Sequence, residues 1–163
     1  MADTELDPFA EALNGPVYVV TVAAEGERSG CLVGFASQCS IRPPRFMVWL
    51  SVQNHTFRVA RGASHLAVHV LDRGQRSLAE LFGGETGDEV DKLAQVDWRP
   101  SADGSPVLTG AAAWFVGRIE SRIDGGDHVG FLLAPTEVGP PVRTAPTLLR
   151  YRDVKEIDPG HPA

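Results

Sequence analysis

The chain has 163 residues, 43% of them apolar and 22% charged, enough to bury one core and too apolar to be disordered. Seventeen glycines and 12 prolines are more punctuation than a helical bundle tolerates, and they point to a turn-rich β or α+β fold. Fifteen basic against 21 acidic residues leave a net charge of -6, the wrong sign for a protein whose affinity comes from neutralising phosphate backbones, so no nucleic acid partner is expected.

Only Lys92 and Lys155 are lysines; the remaining basic residues are arginines. No apolar run approaches the ~20 residues needed to cross a bilayer, and Met1-Ala2-Asp3-Thr4-Glu5 is acidic where a signal peptide is basic. No membrane association and a cytoplasmic location are the expectations. Cys31 and Cys39 are too few for a four-ligand zinc site, and as reduced thiols in strand-rich sequence they read as small core residues.

In chain order, residues 1–15 read as a helical lead-in closed by Asn14-Gly15-Pro16, and residues 17–22 as a β-branched strand. Glu25-Gly26-Glu27 reads as a hairpin turn, returning a strand over 29–35 that is dense in small residues, and 37–41 stays extended. After Arg42-Pro43-Pro44 comes an apolar strand over 46–52. Asn54 is a good N-cap for a short helix over 55–61, ended by Gly62.

Residues 64–71 alternate as a half-buried strand. A helix over 76–82 ends at Gly83-Gly84, and a capping box of Thr86 with Glu89 opens a second, running to about Gln95. Residues 107–123 form a long β stretch that pairs, across Asp124-Gly125-Gly126, with a strand over 129–138. A proline-rich connection over 139–146 leads to a closing strand over 147–152, on which Arg150 and Arg152 share a face. Six or more strands with short helices at the corners suggest a closed or nearly closed antiparallel barrel.

Two constellations could carry chemistry. The first is the small and hydroxyl-bearing run from Gly34 to Ser40 followed by Ser51-Val52-Gln53-Asn54-His55-Thr56, where a helix start and nearby donors could meet an anion. The plain alternative is that Asn54 and Thr56 only cap a helix. The second is Gly126-Asp127-His128, which delivers a histidine to the start of a strand; the plain alternative is an ordinary Gly-Asp turn with a solvent-facing imidazole. His65 and His69 lie four residues apart on a strand, roughly 13 Å, too far to share a metal. No nucleophile elbow, P-loop or Gly-x-Gly-x-x-Gly fingerprint occurs.

Taken together and in order, these segments resemble the flavin reductase-like, FMN-binding split β-barrel family. The segments are Phe35-Ala36-Ser37-Gln38-Cys39-Ser40, the Pro43-Pro44 step, Ser51 to Thr56, Phe82 to Lys92, Val96-Asp97-Trp98-Arg99-Pro100, Gly126-Asp127-His128 and Pro146 to Asp153. The sequence departs from that pattern at Arg42, where the family more often shows an acidic residue, and at Gln38-Cys39, which replaces a small hydroxyl pair.

The resemblance implies a mainly β (α+β) fold, an antiparallel split β-barrel with short helices over residues 16–157, assembled as a homodimer, with residues 158–163 as a tail. It implies that Gly34, Phe35, Ala36, Ser37, Gln38, Cys39 and Ser40 line the ring and ribityl chain of FMN or FAD. Ser51, Asn54, His55 and Thr56 would hold the phosphate, Arg152 would add a cofactor contact, and His128 would lie near the nicotinamide or the flavin ring. The implied activity is hydride transfer from NAD(P)H to flavin, supplying reduced flavin to a monooxygenase. Two other readings remain open: an FMN-binding electron carrier without reductase turnover, and a split barrel that binds haem or a deazaflavin.

Overall fold

The computed structural model describes residues 4–84 and 91–158. The capping box expected at Thr86 and Glu89, and residues 159–163 of the expected tail, lie outside the described residues. The N-terminal helix α1 (Asp7–Leu13) carries Pro8 in its first turn and stops at Asn14, whose φ of 43° lies in the left-handed region that terminates helices.

Strands β1 (Tyr18–Ala24) and β2 (Glu27–Val33) form a hairpin through Glu25 and Gly26, at φ 54° and 81°. A two-residue turn between twisted strands requires this pair of positive φ values. β2 ends before Gly34-Phe35, and β3 (Ala36–Ile41) and β4 (Pro44–Ser51) follow. The short helix α2 (His55–Ala60) leads to β5 (His65–Val70) and then to α3 (Arg76–Gly84). A small hairpin, β6 (Trp98–Pro100) with β7 (Pro106–Leu108), precedes the long hairpin of β8 (Ala113–Asp124) and β9 (His128–Val138), and α4 (Tyr151–Val154) closes the described chain.

Seven strands form one antiparallel sheet in the order β2-β1-β5-β8-β9-β4-β3. Its two edge strands are consecutive in the chain, and the sheet curls until residues of distant strands share one core. Val20 and Val22 of β1, Val33 of β2, Val48 and Leu50 of β4, Leu66 and Val68 of β5, and Phe131 and Leu133 of β9 pack there. The barrel-like antiparallel sheet with short helices is therefore the architecture that the residue pattern implied.

Three local expectations are corrected. The strand over 64–71 is buried on both faces: Leu66 and Val68 enter the main core, while Leu71 packs with Phe82 of α3 and Leu108 of β7 in a second one. The stretch over 107–123 breaks at Thr109, whose amide donates to Asp97 O, so that β7 turns back onto β6 before β8 begins. The expected closing strand makes only two isolated bridges, Pro16 to Arg150 and Asp72 to Leu148. Asp153 Oδ2 then accepts from the Arg150 amide and draws the chain into α4, so Arg150 and Arg152 do not share a strand face.

Candidate functional site

The site is assembled where the end of β4 meets the start of β9. Ser51 pairs across the ladder with His128, Val52 N donates to Asp127 O at 2.9 Å, and Asn54 N donates to Ser51 O at 3.0 Å. Those bonds place Asp127-His128 beside the strand end that carries Ser51 and Asn54. From the other side, Phe35 O accepts from Trp49 N at 3.0 Å, and the Phe35 ring lies 5.0 Å from the His128 ring. Phe35 remains 54% exposed, which leaves a flat apolar surface open next to an imidazole.

Two glycines make this arrangement possible. A Cβ on Gly130 would lie 2.8 Å from the Trp49 ring and 2.9 Å from the Met47 sulfur, and one on Gly125 would lie 2.6 Å from Trp49. Their absence of side chains lets the indole press onto the β8–β9 hairpin, whose turn presents His128. Gly126, at φ 121°, makes the turn itself.

β3 is the last strand of the sheet, paired to β4 on one side only. The register slips between Gln38 and Ser40, so Cys39 sits in a bulge. Ser37, Gln38 and Cys39 are exposed, and Gln38 Nε2 donates to Ser40 O at 3.1 Å. Cys39 is thus an exposed thiol on an edge strand, which corrects its expected place in the core; Cys31 is buried, and burial pushes its thiol pKa up.

Asn54 caps α2 as expected, its Oδ1 accepting from Thr56 N at 3.0 Å. Thr56 is fully buried, with its hydroxyl 2.9 Å from Ser29 Oγ. The same Ser29 oxygen lies 2.9 Å from His55 Nδ1, and His55 Nε2 lies 3.5 Å from Glu27 Oε2. Thr56 and Ser29 therefore brace His55 from beneath. Arg152 is not brought to this cluster: its Nη2 donates to Glu11 O at 2.9 Å and its amide to Asn14 Oδ1, tying α4 to α1.

Sequence reasoning missed Ser29 and Asp127 as members of the site. Ser29 appeared only as one small residue in a strand; nothing local signals a bond to a helix 26 residues later. Asp127 appeared only as a turn former, yet its Oδ1 lies 2.7 Å from His128 Nδ1. Among the described residues no cluster of His, Cys, Asp and Glu could hold a metal ion, and no helix is long and apolar enough to cross a membrane.

The groups on hand are a flat ring face, an oriented imidazole, hydroxyls, and an edge strand with one unpaired side beside small residues. The hydroxyl beside an imidazole, Ser29 on His55, is buried and also held by Thr56, so it does not present a nucleophile for acyl transfer, and the exposed groups fit a flat heteroaromatic ring with carbonyl and ring-nitrogen edges better.

Residues 10–157 match the flavin reductase like domain, and the chain belongs to that family. It is 33% identical over 134 residues to the reductase subunit HsaB of a flavin-dependent monooxygenase from Mycobacterium tuberculosis, a match covering 78% of this chain and 70% of that protein. It is 30% identical over 116 residues to the FMN reductase (NADH) RutF of Ancylobacter novellus, covering 71% and 64%. The crystal structure of an FMN-binding protein from Thermus thermophilus superposes with a TM-score of 0.77 at 27% identity, covering 85% of this chain and 78% of that one. The chain spans less of some relatives, 39% of the length of one from Rhizobium meliloti and 38% of one from Acinetobacter baylyi.

Proposed function

We propose that the chain is an NAD(P)H:flavin oxidoreductase that uses FMN or FAD and serves a flavin-dependent monooxygenase. The observation that supports this most directly is the meeting of Phe35, His128, Ser51 and the free edge of β3 at one corner of a flavin reductase like domain. A flavin, when bound, supplies the hydride-accepting ring, and the protein's share is to stack, orient and shield.

In this reading Gly34, Phe35 and Ala36 face the ring, while Ser37, Gln38, Cys39 and Ser40 offer hydrogen-bonding groups along it. Ser51, Asn54 and His55 face the phosphate; Thr56 acts through Ser29, which holds His55 Nδ1. His128 meets the nicotinamide. Arg152 has no part in the proposal, because its polar atoms hold α1. A homodimer is part of the same reading, supported by exposed Phe35 and Ile41 at either end of β3, which a second copy would cover.

The test is loss of nicotinamide absorbance on adding FMN, FAD or riboflavin to the purified chain with NADH or NADPH. Oxidation dependent on one of the flavins is expected; no oxidation with any of them refutes the proposal. The similarity to an FMN-binding protein favours a second reading, a flavin carrier without turnover. Tight retention of FMN with no nicotinamide activity would select it.

A further inference from the structure

We propose that Asp127 is a positioning residue that fixes His128 as the tautomer protonated on Nδ1, leaving Nε2 to accept a hydrogen bond from an amide N–H donor, the carboxamide of a reduced nicotinamide. This rests on the reductase reading above and adds the chemistry by which His128 would select its ligand. Asp127 Oδ1 lies 2.7 Å from His128 Nδ1. An ionised carboxylate has no proton to give, so the hydrogen in that bond belongs to the ring, and a neutral imidazole so anchored keeps its lone pair on Nε2.

The anchor is itself held. Asp127 O accepts from Val52 N at 2.9 Å, Gly125 N donates to His128 O at 2.9 Å, and His128 stands in register with Ser51. Phe35 flanks the ring at 5.0 Å with a tilt of 56°. With Nδ1, both neighbouring backbone segments and one ring side constrained, only Nε2 is left to meet a ligand; among the described residues it makes no hydrogen bond.

The same chain shows what an imidazole anchored in this way does. His69 Nδ1 lies 2.9 Å from Val19 O, which can only accept, and His69 Nε2 accepts an amide N–H, that of Leu108, at 3.0 Å. At His128 the carboxylate of Asp127 takes the part of the Val19 carbonyl, and the place of the Leu108 amide is open to a ligand.

Two measurements on the full chain loaded with FMN test this. Nitrogen-15 NMR of labelled histidines, above the imidazole titration, is expected to show His128 protonated on Nδ1 in the wild type. Asp127→Ala removes the acceptor and should relax the ring towards the Nε2–H form that free imidazole prefers, whereas Asp127→Asn, which can turn either its Oδ1 or its amide N–H to Nδ1, should leave a mixture. Kinetically, the wild type should favour NADH over its reduced 3-acetylpyridine analogue, which keeps the carbonyl but lacks the N–H, by about tenfold in KM. Asp127→Ala should bring the two close to parity, the change falling on KM rather than on kcat.

A wild-type His128 protonated on Nε2, or undiminished discrimination in Asp127→Ala, overturns the proposal. If Asp127→Ala does not fold, the wild-type tautomer and the wild-type preference for NADH over the analogue decide. His128→Ala separates the layers: unchanged NADH kinetics there removes His128 from the reductase reading, whereas a defect in His128→Ala with none in either Asp127 variant sinks the positioning role alone.

Discussion

Acid should weaken this fold well above the range in which carboxylates titrate, because of one buried histidine. His69 is fully buried on β5; its Nδ1 donates to Val19 O and its Nε2 accepts from Leu108 N, so the ring is neutral and a second proton would break the bond that holds β7. Burial drives its pKa down from 6.5 to about 4, against a smaller upward pull from the Val19 carbonyl. Above 6.5 both folded and unfolded chains are neutral at this site and stability is complete.

Between 6.5 and about 4 the unfolded chain takes up a proton that the folded chain refuses, so stability falls with pH and levels off below the folded value. At about 1.4 kcal/mol per pH unit the full loss is about 3 kcal/mol, of which about 2 kcal/mol is gone by pH 5. Urea titrations should show the midpoint falling by about 1 M between pH 7.5 and 5, with the slope against urea constant. The lowered carboxylates Glu11, Asp103 and Glu120 lose their contributions only near and below their ordinary values of 4.5, 3.8 and 4.5, below the pH 7.5 to 5 range of the titration. His69→Gln, which keeps a donor and an acceptor but cannot be protonated, should be less stable at pH 7.5 and nearly flat down to pH 5. An equally steep decline in His69→Gln would refute the assignment.

Further outcomes follow from the site. His128→Ala should raise KM for the nicotinamide or lower kcat/KM by about tenfold, the loss of one ligand hydrogen bond, while FMN affinity by fluorescence quenching stays within twofold. Thr56→Ala strips Ser29 of one of its two partners and loosens His55; FMN should bind several-fold more weakly and phosphate-free riboflavin as before, and equal losses for both would place Thr56 outside the phosphate end. Gly130→Ala drives a methyl into Trp49 and Met47 and should cost about 1–3 kcal/mol by thermal unfolding, with a raised KM because the hairpin that carries His128 shifts. A Gly130→Ala protein with wild-type Tm would show that the indole simply moves aside.

Legibility from sequence followed the range of the interactions. The strand runs and the Glu25-Gly26 hairpin were readable because β-branched runs and turn chemistry act over a few residues, and Asn54 was readable because its cap bond spans two residues. Both-sided burial of β5 was not, since the cover on its second face comes from α3 and from β7, up to 40 residues further on. The closing strand failed because a bond of three-residue span, Asp153 to the Arg150 amide, outcompetes ladder pairing with only isolated bridges to offer. Cys39 failed for a related reason: composition ranks cysteine as a core residue, but its position in a bulge on the edge strand leaves it outside.

The net charge of -6 bears on how an anionic ligand could be received at all. Two amides in the first turn of α2 are already taken, Thr56 N by Asn54 Oδ1 and Phe57 N by Asn54 O, so an anion there depends on the neighbouring side chains as well. What stands at that corner is an imidazole, His55, braced by a buried hydroxyl and facing the carboxylate of Glu27 at 3.5 Å. A phosphate approaching His55 would meet Glu27 in the same place, and Glu27 is exposed on the first residue of β2, free to turn into solvent. Glu27→Gln should therefore tighten FMN while leaving riboflavin unchanged, most clearly at low ionic strength where the like charges are least screened. An FMN affinity that does not move, or moves equally for riboflavin, would place the phosphate away from His55 and with it overturn the anion-binding part assigned to α2.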